Sequence, residues 1–129
     1  MNHIALITYL VREYDEAITW FQNAVGFKLF EDTDMGDGKR WVVIGPDTNS
    51  GARFLLAKAA APEQSTQIGN AAGGRVAFFL HTDDFQGVQK SMLKAGVKFL
   101  DAPRQEPYGT VAVFEDLYGN RWDLLQPKT

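Results

Sequence analysis

The sequence contains two copies of one pattern, and this internal repeat limits the possible folds more than any other feature. AVGFKLF in the first half matches KAGVKFL in the second half, and ARFLLAK matches NRWDLLQ. In each copy an apolar strand pattern is followed by a helical pattern and then by three further strand patterns. The sequence therefore predicts an α+β fold made of tandem βαβββ modules within a single domain, residues 1–129.

Apolar spacing and turn residues locate the elements of both modules. The first module is predicted over residues 1–57, with a helix in YDEAITWFQNAVGF and strands in IALITYLV, FKLFEDT, RWVVIG and ARFLLAK. The second is predicted over residues 75–129, with a helix in DDFQGVQKSMLKAG and strands in RVAFFLHT, VKFLDAP, TVAVFED and NRWDLLQ. Residues 58–74 are predicted as a connector, in which Pro62 could begin one helical turn. PRQEPYG is predicted as a loop, and DLYGN as a hairpin turn with Gly119 and Asn120 at positive φ.

The composition excludes several classes of partner and site. A net charge of −3 gives no reason to expect nucleic acid or a membrane as a partner. The absence of cysteine excludes disulfides, thiolate metal sites and a cysteine nucleophile. The apolar run IALITYLV follows no basic segment, precedes no cleavage site, and is shorter than the ~20 residues that span a bilayer. These features predict a soluble cytoplasmic protein.

Alternation in the last strand of each module assigns its side chains to the two faces of the sheet. The face expected beneath the helix carries four bulky apolar residues: Phe54, Leu56, Trp122 and Leu124. The opposite face carries Arg53, Leu55, Arg121 and Asp123. Asp123 is therefore expected to point into the space between the modules, with Leu55 as its counterpart. Because a buried carboxylate is costly without a partner, Arg75 or Arg121 is expected to form an ion pair with it.

The paired βαβββ pattern and the segments YDEAITWFQNAVGFKL and VFEDLYGNRWDL resemble the vicinal oxygen chelate superfamily. This superfamily includes glyoxalase I, bleomycin-resistance proteins, fosfomycin-resistance enzymes and extradiol dioxygenases, and the resemblance covers essentially the whole chain. It implies two modules whose sheets curl around a central cavity, often in a dimer. For the enzymes of the family it also implies one divalent metal, held by about four His and Glu ligands from the first and last strands of both modules.

The residues at these ligand positions depart from the enzymatic pattern. Without gaps, the positions fall at Leu6, Leu55, Ala77 and Asp123, of which Asp123 alone can bind a metal. A shifted register brings in His3 or Arg75, but the shift to His3 reverses the face of the strand. The metal-ligand candidates are therefore His3 and Asp123. We expect no cofactor, and a divalent Zn, Fe, Mn or Ni ion only if the register is misread.

Eight residues are candidates for the walls of a ligand pocket, and no catalytic residue is assigned. They are Asp123, Arg121, Arg75, Leu55, Leu6, Ala77, His81 and Tyr108. His81 is either a ligand-contacting group or general base, or a strand-end histidine bonded to a nearby turn. Tyr108 is a candidate because PRQEPYG is predicted to lie at the mouth of the cavity, where loops determine specificity.

Three functional hypotheses follow from these observations. The leading hypothesis is a glyoxalase/bleomycin-resistance-type protein that binds a small organic molecule, aromatic or acidic, in the inter-module cavity without the complete metal site. The first alternative is a metal-dependent lyase or dioxygenase-like enzyme that uses His3 and Asp123. The second is a non-catalytic resistance protein that sequesters a drug. The open sheet edges predict a homodimer.

Overall fold

A computed structural model describes residues 1–129 and places them in two compact units, Met1–Ile68 and Gly69–Thr129. Each unit contains one β-sheet and one helix of at least ten residues, and the boundary between the units falls inside the predicted connector. The predicted α+β fold with a repeated strand–helix–sheet plan is confirmed. No helix combines the length and the apolar character needed to cross a bilayer.

The first unit is a four-stranded mixed sheet with one helix packed against it. Its elements are β1 (Leu6–Val11), α1 (Tyr14–Val25), β2 (Lys28–Gly36), β3 (Lys39–Gly45), β4 (Arg53–Lys58) and α2 (Pro62–Ser65). The strand order is β1-β4-β3-β2, with β1 parallel to β4 and the other pairs antiparallel. The short α2 begins at Pro62, as predicted. This order places β4 inside the sheet and leaves β1 at an edge.

An aromatic cluster fixes α1 on the sheet of the first unit. Phe21 is fully buried and meets Tyr9 edge to face, with the ring centroids 5.4 Å apart. It also stacks on Phe27 at 5.2 Å, and Tyr9 stacks on Phe54 at 5.0 Å. The helix ends at Gly26, whose left-handed backbone (φ 70°) lets the chain turn back toward β2 at little steric cost.

The second unit repeats this plan with one additional strand. Its elements are β5 (Val76–His81), α3 (Phe85–Lys94), β6 (Lys98–Phe99), β7 (Arg104–Glu106), β8 (Gly109–Glu115) and β9 (Arg121–Pro127). The order is β5-β9-β8-β6, with β7 also paired to β8, and β5 runs parallel to β9. Asp84 caps α3 by accepting a hydrogen bond from the Gly87 N–H at 3.1 Å.

The prediction that PRQEPYG is a loop is wrong. Residues Arg104–Glu106 form β7, which pairs with β8 in an antiparallel hairpin. The hairpin closes at Gly109, where any side chain would collide with the carbonyl oxygen of Gln126 on β9. Glycine is therefore required where the hairpin backbone crosses so close to the neighbouring strand.

The β8–β9 turn DLYGN is organised by Asp116, which is buried. Its carboxylate accepts hydrogen bonds from the N–H groups of Tyr118 and Asn120, both at 3.0 Å, from the Asn120 side-chain amide at 3.2 Å and from Trp122 Nε1 at 2.9 Å. Gly119 has positive φ, as predicted, but the prediction of positive φ for Asn120 is wrong. Asn120 is instead buried, where its side-chain oxygen accepts a hydrogen bond from the Ala71 N–H at 3.0 Å.

We expect Asp116→Asn to lower the free energy of unfolding by about 2–4 kcal/mol, because an amide replaces one acceptor oxygen with a donor facing other donors. Denaturant unfolding followed by circular dichroism measures this loss. Asp47→Asn is the matched control, since the Asp47 side chain is 77% exposed and should change stability little. Equal stability of the two variants would show that the Asp116 network does not hold the turn.

Candidate functional site

Each sheet has one face covered by its helix and one face without a helix, which we call the open face. Helix α1 packs against β2, β3 and β4, and α3 packs against β9. The four residues predicted to lie beneath the helices are all buried: Phe54, Leu56, Trp122 and Leu124. Alternation therefore places Leu55 and Asp123 on the open faces of the first and second unit.

The open face of the first unit borders a cavity of about 850 Å³. Apolar and aromatic side chains from β1 and β3 contribute to its wall: Leu6, Trp41 and Val43. Polar groups at the same cavity are His3, Glu31, Asn49 and Arg53. Leu55 lies on this face with Thr8 on one side and Val43 on the other. The cavity thus has an apolar wall and several polar groups that could orient a ligand.

Arg53 has a fixed position at this cavity. Its guanidinium carbon lies 3.4 Å from the centroid of the Phe30 ring, and its Nη2 donates to the Thr48 carbonyl oxygen at 3.4 Å. Stacking on an aromatic ring orients the planar guanidinium without an ion pair. Arg53 can therefore still offer charge and hydrogen-bond donors to a ligand.

The open face of the second unit has Asp123 at its centre. The residue is 8% exposed and has Phe79 and Val113 as its direct neighbours on β5 and β8. Its Oδ1 atom is buried and accepts no hydrogen bond. Such an atom has lost its water and has received no protein donor in exchange, which is destabilising.

The prediction that Arg75 or Arg121 holds Asp123 is wrong. Arg121 lies two residues along β9, is exposed, and is opposite Glu115 in the strand register. Arg75 precedes β5 and is also exposed. Neither guanidinium forms an ion pair or hydrogen bond with the carboxylate, because both arginines lie near the ends of strands whereas Asp123 is in the middle of the sheet.

The charged group near Asp123 that the sequence analysis missed comes from β7 and the segment before it. Arg104 donates from Nε to Asp101 at 3.0 Å and from Nη1 to Glu106 at 3.0 Å. The other oxygen of Asp101 accepts a hydrogen bond from the Val113 N–H at 2.8 Å, directly beside the Asp123 position. The alternation of charged and neutral residues in RQE is a signal for a strand, but the prolines on both sides of it favour a loop.

Burial is the main influence on the Asp123 carboxyl group. Desolvation raises its pKa above the ordinary value, Arg104 opposes this by lowering the pKa, and Asp101 adds a further increase. Arg104 acts on Asp123 only through electrostatic attraction at a distance, since its hydrogen bonds go to Asp101 and Glu106. The Asp123 carboxyl group therefore binds its proton more tightly in the folded chain than an exposed aspartate does.

The side chains do not form the donor set of a transition-metal site. No group of three or more His, Asp or Glu side chains converges anywhere in the chain. Leu55 is flanked by Thr8 on the first strand, and Asp123 by Phe79 rather than Ala77. Leu6, Leu55, Ala77, Thr8 and Phe79 offer neither imidazole nor carboxylate, so Asp123 would be the sole strong ligand at these positions.

In both units the first-strand residue beside the last-strand position lies two residues after the one expected: Thr8 lies beside Leu55, and Phe79 beside Asp123. β5 also contains an irregularity. The register shifts between Val76 and Phe78, so Ala77 has no partner on β9. A one-residue insertion of this kind reverses the faces of the strand residues that precede it.

The remaining candidates, His81, Tyr108 and His3, are exposed. His81 pairs with Leu125 and lies on the open face with Phe79 and Asp123. Tyr108 is 51% exposed in the turn between β7 and β8, where its carbonyl accepts a hydrogen bond from the Lys128 N–H. His3 is at the cavity of the first unit.

Comparison with known proteins gives one family and several close structural matches. The sequence model described as "Glyoxalase/Bleomycin resistance protein/Dioxygenase superfamily" matches residues 1–124. An uncharacterized protein of Shewanella frigidimarina (strain NCIMB 400) is 54% identical over 125 residues, which cover 96% of this chain and 90% of that protein.

Two solved structures show the same fold over nearly their full length. The structure of UcmS2 is 27% identical with a TM-score of 0.81, and the match covers 97% of this chain and 98% of that one. The structure of TnmS3, an antibiotic binding protein from Streptomyces sp. CB03234, is 25% identical with a TM-score of 0.77 and coverage of 99% and 98%. Both similarities extend across the two units described above.

We expect Asp123→Asn to raise stability at neutral pH relative to wild type, and the gain should shrink in acid. A raised folded-state pKa contributes stability that is fully present below the unfolded pKa of about 3.9 and is lost as pH rises through the folded-state value. The neutral amide avoids that loss. Urea unfolding between pH 3 and pH 8 measures the difference, which should reach on the order of 1 kcal/mol near neutrality.

Asp47→Asn, at an exposed position, is the matched control and should change stability little. A loss of stability in Asp123→Asn at neutral pH would contradict this reading. It would mean that the carboxylate has the cationic partner expected from the sequence.

Proposed function

The chain belongs to the Glyoxalase/Bleomycin resistance protein/Dioxygenase superfamily, and on this basis we propose that it binds a small organic molecule without the metal used by the family's enzymes. In this proposal the open faces of the sheets are the binding surfaces. The apolar residues fix the body of the ligand, and the few polar groups fix its orientation.

The cavity on the open face of the first unit is the observation that carries the proposal. Its volume of about 850 Å³ lies within the range of roughly 300–1,000 Å³ found for small-molecule pockets. Trp41 gives it a large aromatic surface, and Arg53 and Glu31 give it groups of both charges. This combination suits an aromatic ligand with polar substituents better than a simple hydrocarbon.

The structural similarity to TnmS3 supports binding as the function. That protein is described as an antibiotic binding protein, and the present chain matches it over 99% of its own length. Sequestration of a drug-like molecule without turnover is the form of the proposal that fits best, because the chain does not supply the donors for a metal-dependent lyase or dioxygenase.

The proposal predicts that aromatic natural products and their simple analogues raise the melting temperature of the purified protein in the presence of a chelator. A ligand at 100 times its Kd should stabilise the fold by about 2.7 kcal/mol. Trp41→Leu should weaken this binding several-fold, because it removes the aromatic wall of the cavity.

Trp20→Leu is the matched control, since Trp20 lies on α1 and outside the cavity. Two results would contradict the proposal. One is that no member of a broad aromatic panel stabilises the protein. The other is that stabilisation requires an added divalent metal.

We also propose that the protein is a homodimer. The strands β1 and β5 lie at sheet edges and expose large apolar side chains: Leu6 is 36% exposed, Ile7 40% and Phe79 62%. An apolar edge strand readily pairs with another chain, and symmetric pairing covers such edges in many proteins.

Light scattering at micromolar concentration should give about twice the chain mass of 14.4 kDa. Ile7→Lys should shift the protein toward the monomer, because it puts a charge on the β1 edge. A monomeric wild-type protein would contradict the dimer and leave the ligand-binding proposal intact.

A further inference from the structure

The open face of the second unit carries a carboxylate whose partner is absent from the chain. Asp123 is more than nine-tenths buried, and its Oδ1 atom accepts no hydrogen bond. We propose that this carboxylate binds an organic ammonium group, so that the ligand is a protonated amine on an aromatic or apolar body. The inference rests on the proposed function, because it specifies the charge of the ligand which that function requires.

The neighbours of Asp123 suit the body of such a ligand. Phe79 lies directly beside it across the β5–β9 ladder and is 62% exposed. Adjacent strands are about 5 Å apart, so one small molecule can contact the ring and the carboxylate together. An ammonium group close to the face of the ring also gains a cation–π attraction. Val113, on the other side of Asp123, adds a partly exposed apolar surface.

The charges around Asp123 favour a cation over an anion. The Arg104 guanidinium donates its hydrogen bonds to Asp101 and Glu106 and none to Asp123. Arg104 therefore offsets charge on its own partners and leaves Asp123 without a donor. The ligand expected from the sequence was aromatic or acidic. An acidic ligand would meet repulsion at this position, whereas an amine would supply the missing hydrogen-bond donor.

Four other titratable or charged side chains lie on the same face, and none forms a hydrogen bond or ion pair with Asp123: Lys98, Glu115, Arg121 and His81. Lys98 lies beside Glu115 at 4.0 Å. Arg121 is exposed and has Glu115 opposite to it in the β8–β9 register. His81 is exposed and pairs with Leu125, one step along the face. Arg121 and His81 could contact the distal part of a bound ligand, while the ammonium group contacts the buried Asp123 carboxylate.

A single carboxylate discriminates between an ammonium ion and a metal ion. A divalent metal must replace most of its water shell with protein oxygens or nitrogens, and the neighbours Phe79 and Val113 provide none. An alkylammonium group needs only a few acceptors and gains from apolar contact around its carbon atoms. The residues around Asp123 therefore match the second kind of cation.

Three probes of matched shape and different charge test the inference: 2-phenylethylamine, 2-phenylethanol and 3-phenylpropionate. Their binding to the full chain is followed by NMR chemical shifts of Phe79, Val113 and Asp123. We expect the amine to bind at least about tenfold more tightly than the alcohol, and the acid not to bind, because only the amine adds an opposite charge to its hydrogen bond with the carboxylate.

Asp123→Asn and Asp123→Leu should each reduce binding of the amine by about tenfold or more and change binding of the alcohol much less. Asp47→Asn, at an exposed site, should bind the amine as wild type does. The Leu variant reproduces the residue found at the equivalent position 55, so at least one of the two variants should fold.

Each other outcome overturns the inference. Equal binding of all three probes, unchanged in the Asp123 variants, would be compatible with small-molecule binding. It would contradict the inference that the ligand carries a positive charge. Amine binding that appears only after Zn²⁺ is added would assign Asp123 to a metal. If no probe and no member of the aromatic panel binds, both the inference and the proposed function fail.

Discussion

The central position of Asp123 in its sheet is the constraint on which the chemistry of the second unit depends. β9 is flanked by β5 on one side and by β8 on the other, so its side chains must point to one face of the sheet or the other. Trp122 and Leu124 occupy the helix side, which sends Asp123 to the open face. There the carboxylate is buried without a donor, since Arg104, whose charge acts on it, is hydrogen-bonded to other acids.

The two units use one plan to make two different surfaces. In the first, the position equivalent to Asp123 is Leu55, and the open face borders a cavity with aromatic and apolar walls. In the second, the same position carries a buried acid beside an exposed phenylalanine ring. Duplication fixes the backbone, whereas single substitutions on the open face set the chemistry. This is why membership of the superfamily defines the fold of this chain but leaves its ligand to be argued from the side chains.

The fold could be predicted because strand and helix periodicities are local, and alternation correctly placed Phe54 and Trp122 beneath the helices. The charged groups near Asp123 could not be predicted, because they come from segments that are distant in the sequence and meet on one face of the sheet. The charges and prolines of PRQEPYG concealed β7, and with it Arg104. The irregularity at Ala77 was equally invisible, since one unpaired residue changes the register without changing the apolar pattern.

Anomalous X-ray diffraction from crystals grown after incubation with Zn²⁺ tests the central claim most directly, which is that Asp123 is not a metal ligand. Zinc bound by a carboxylate lies about 2.0–2.2 Å from its oxygen atoms. The account predicts no anomalous peak at that distance from Asp123, because the surrounding Phe79 and Val113 supply no further ligands. A well-occupied peak there would contradict the account and would return the protein to the metal-dependent enzymes of its superfamily.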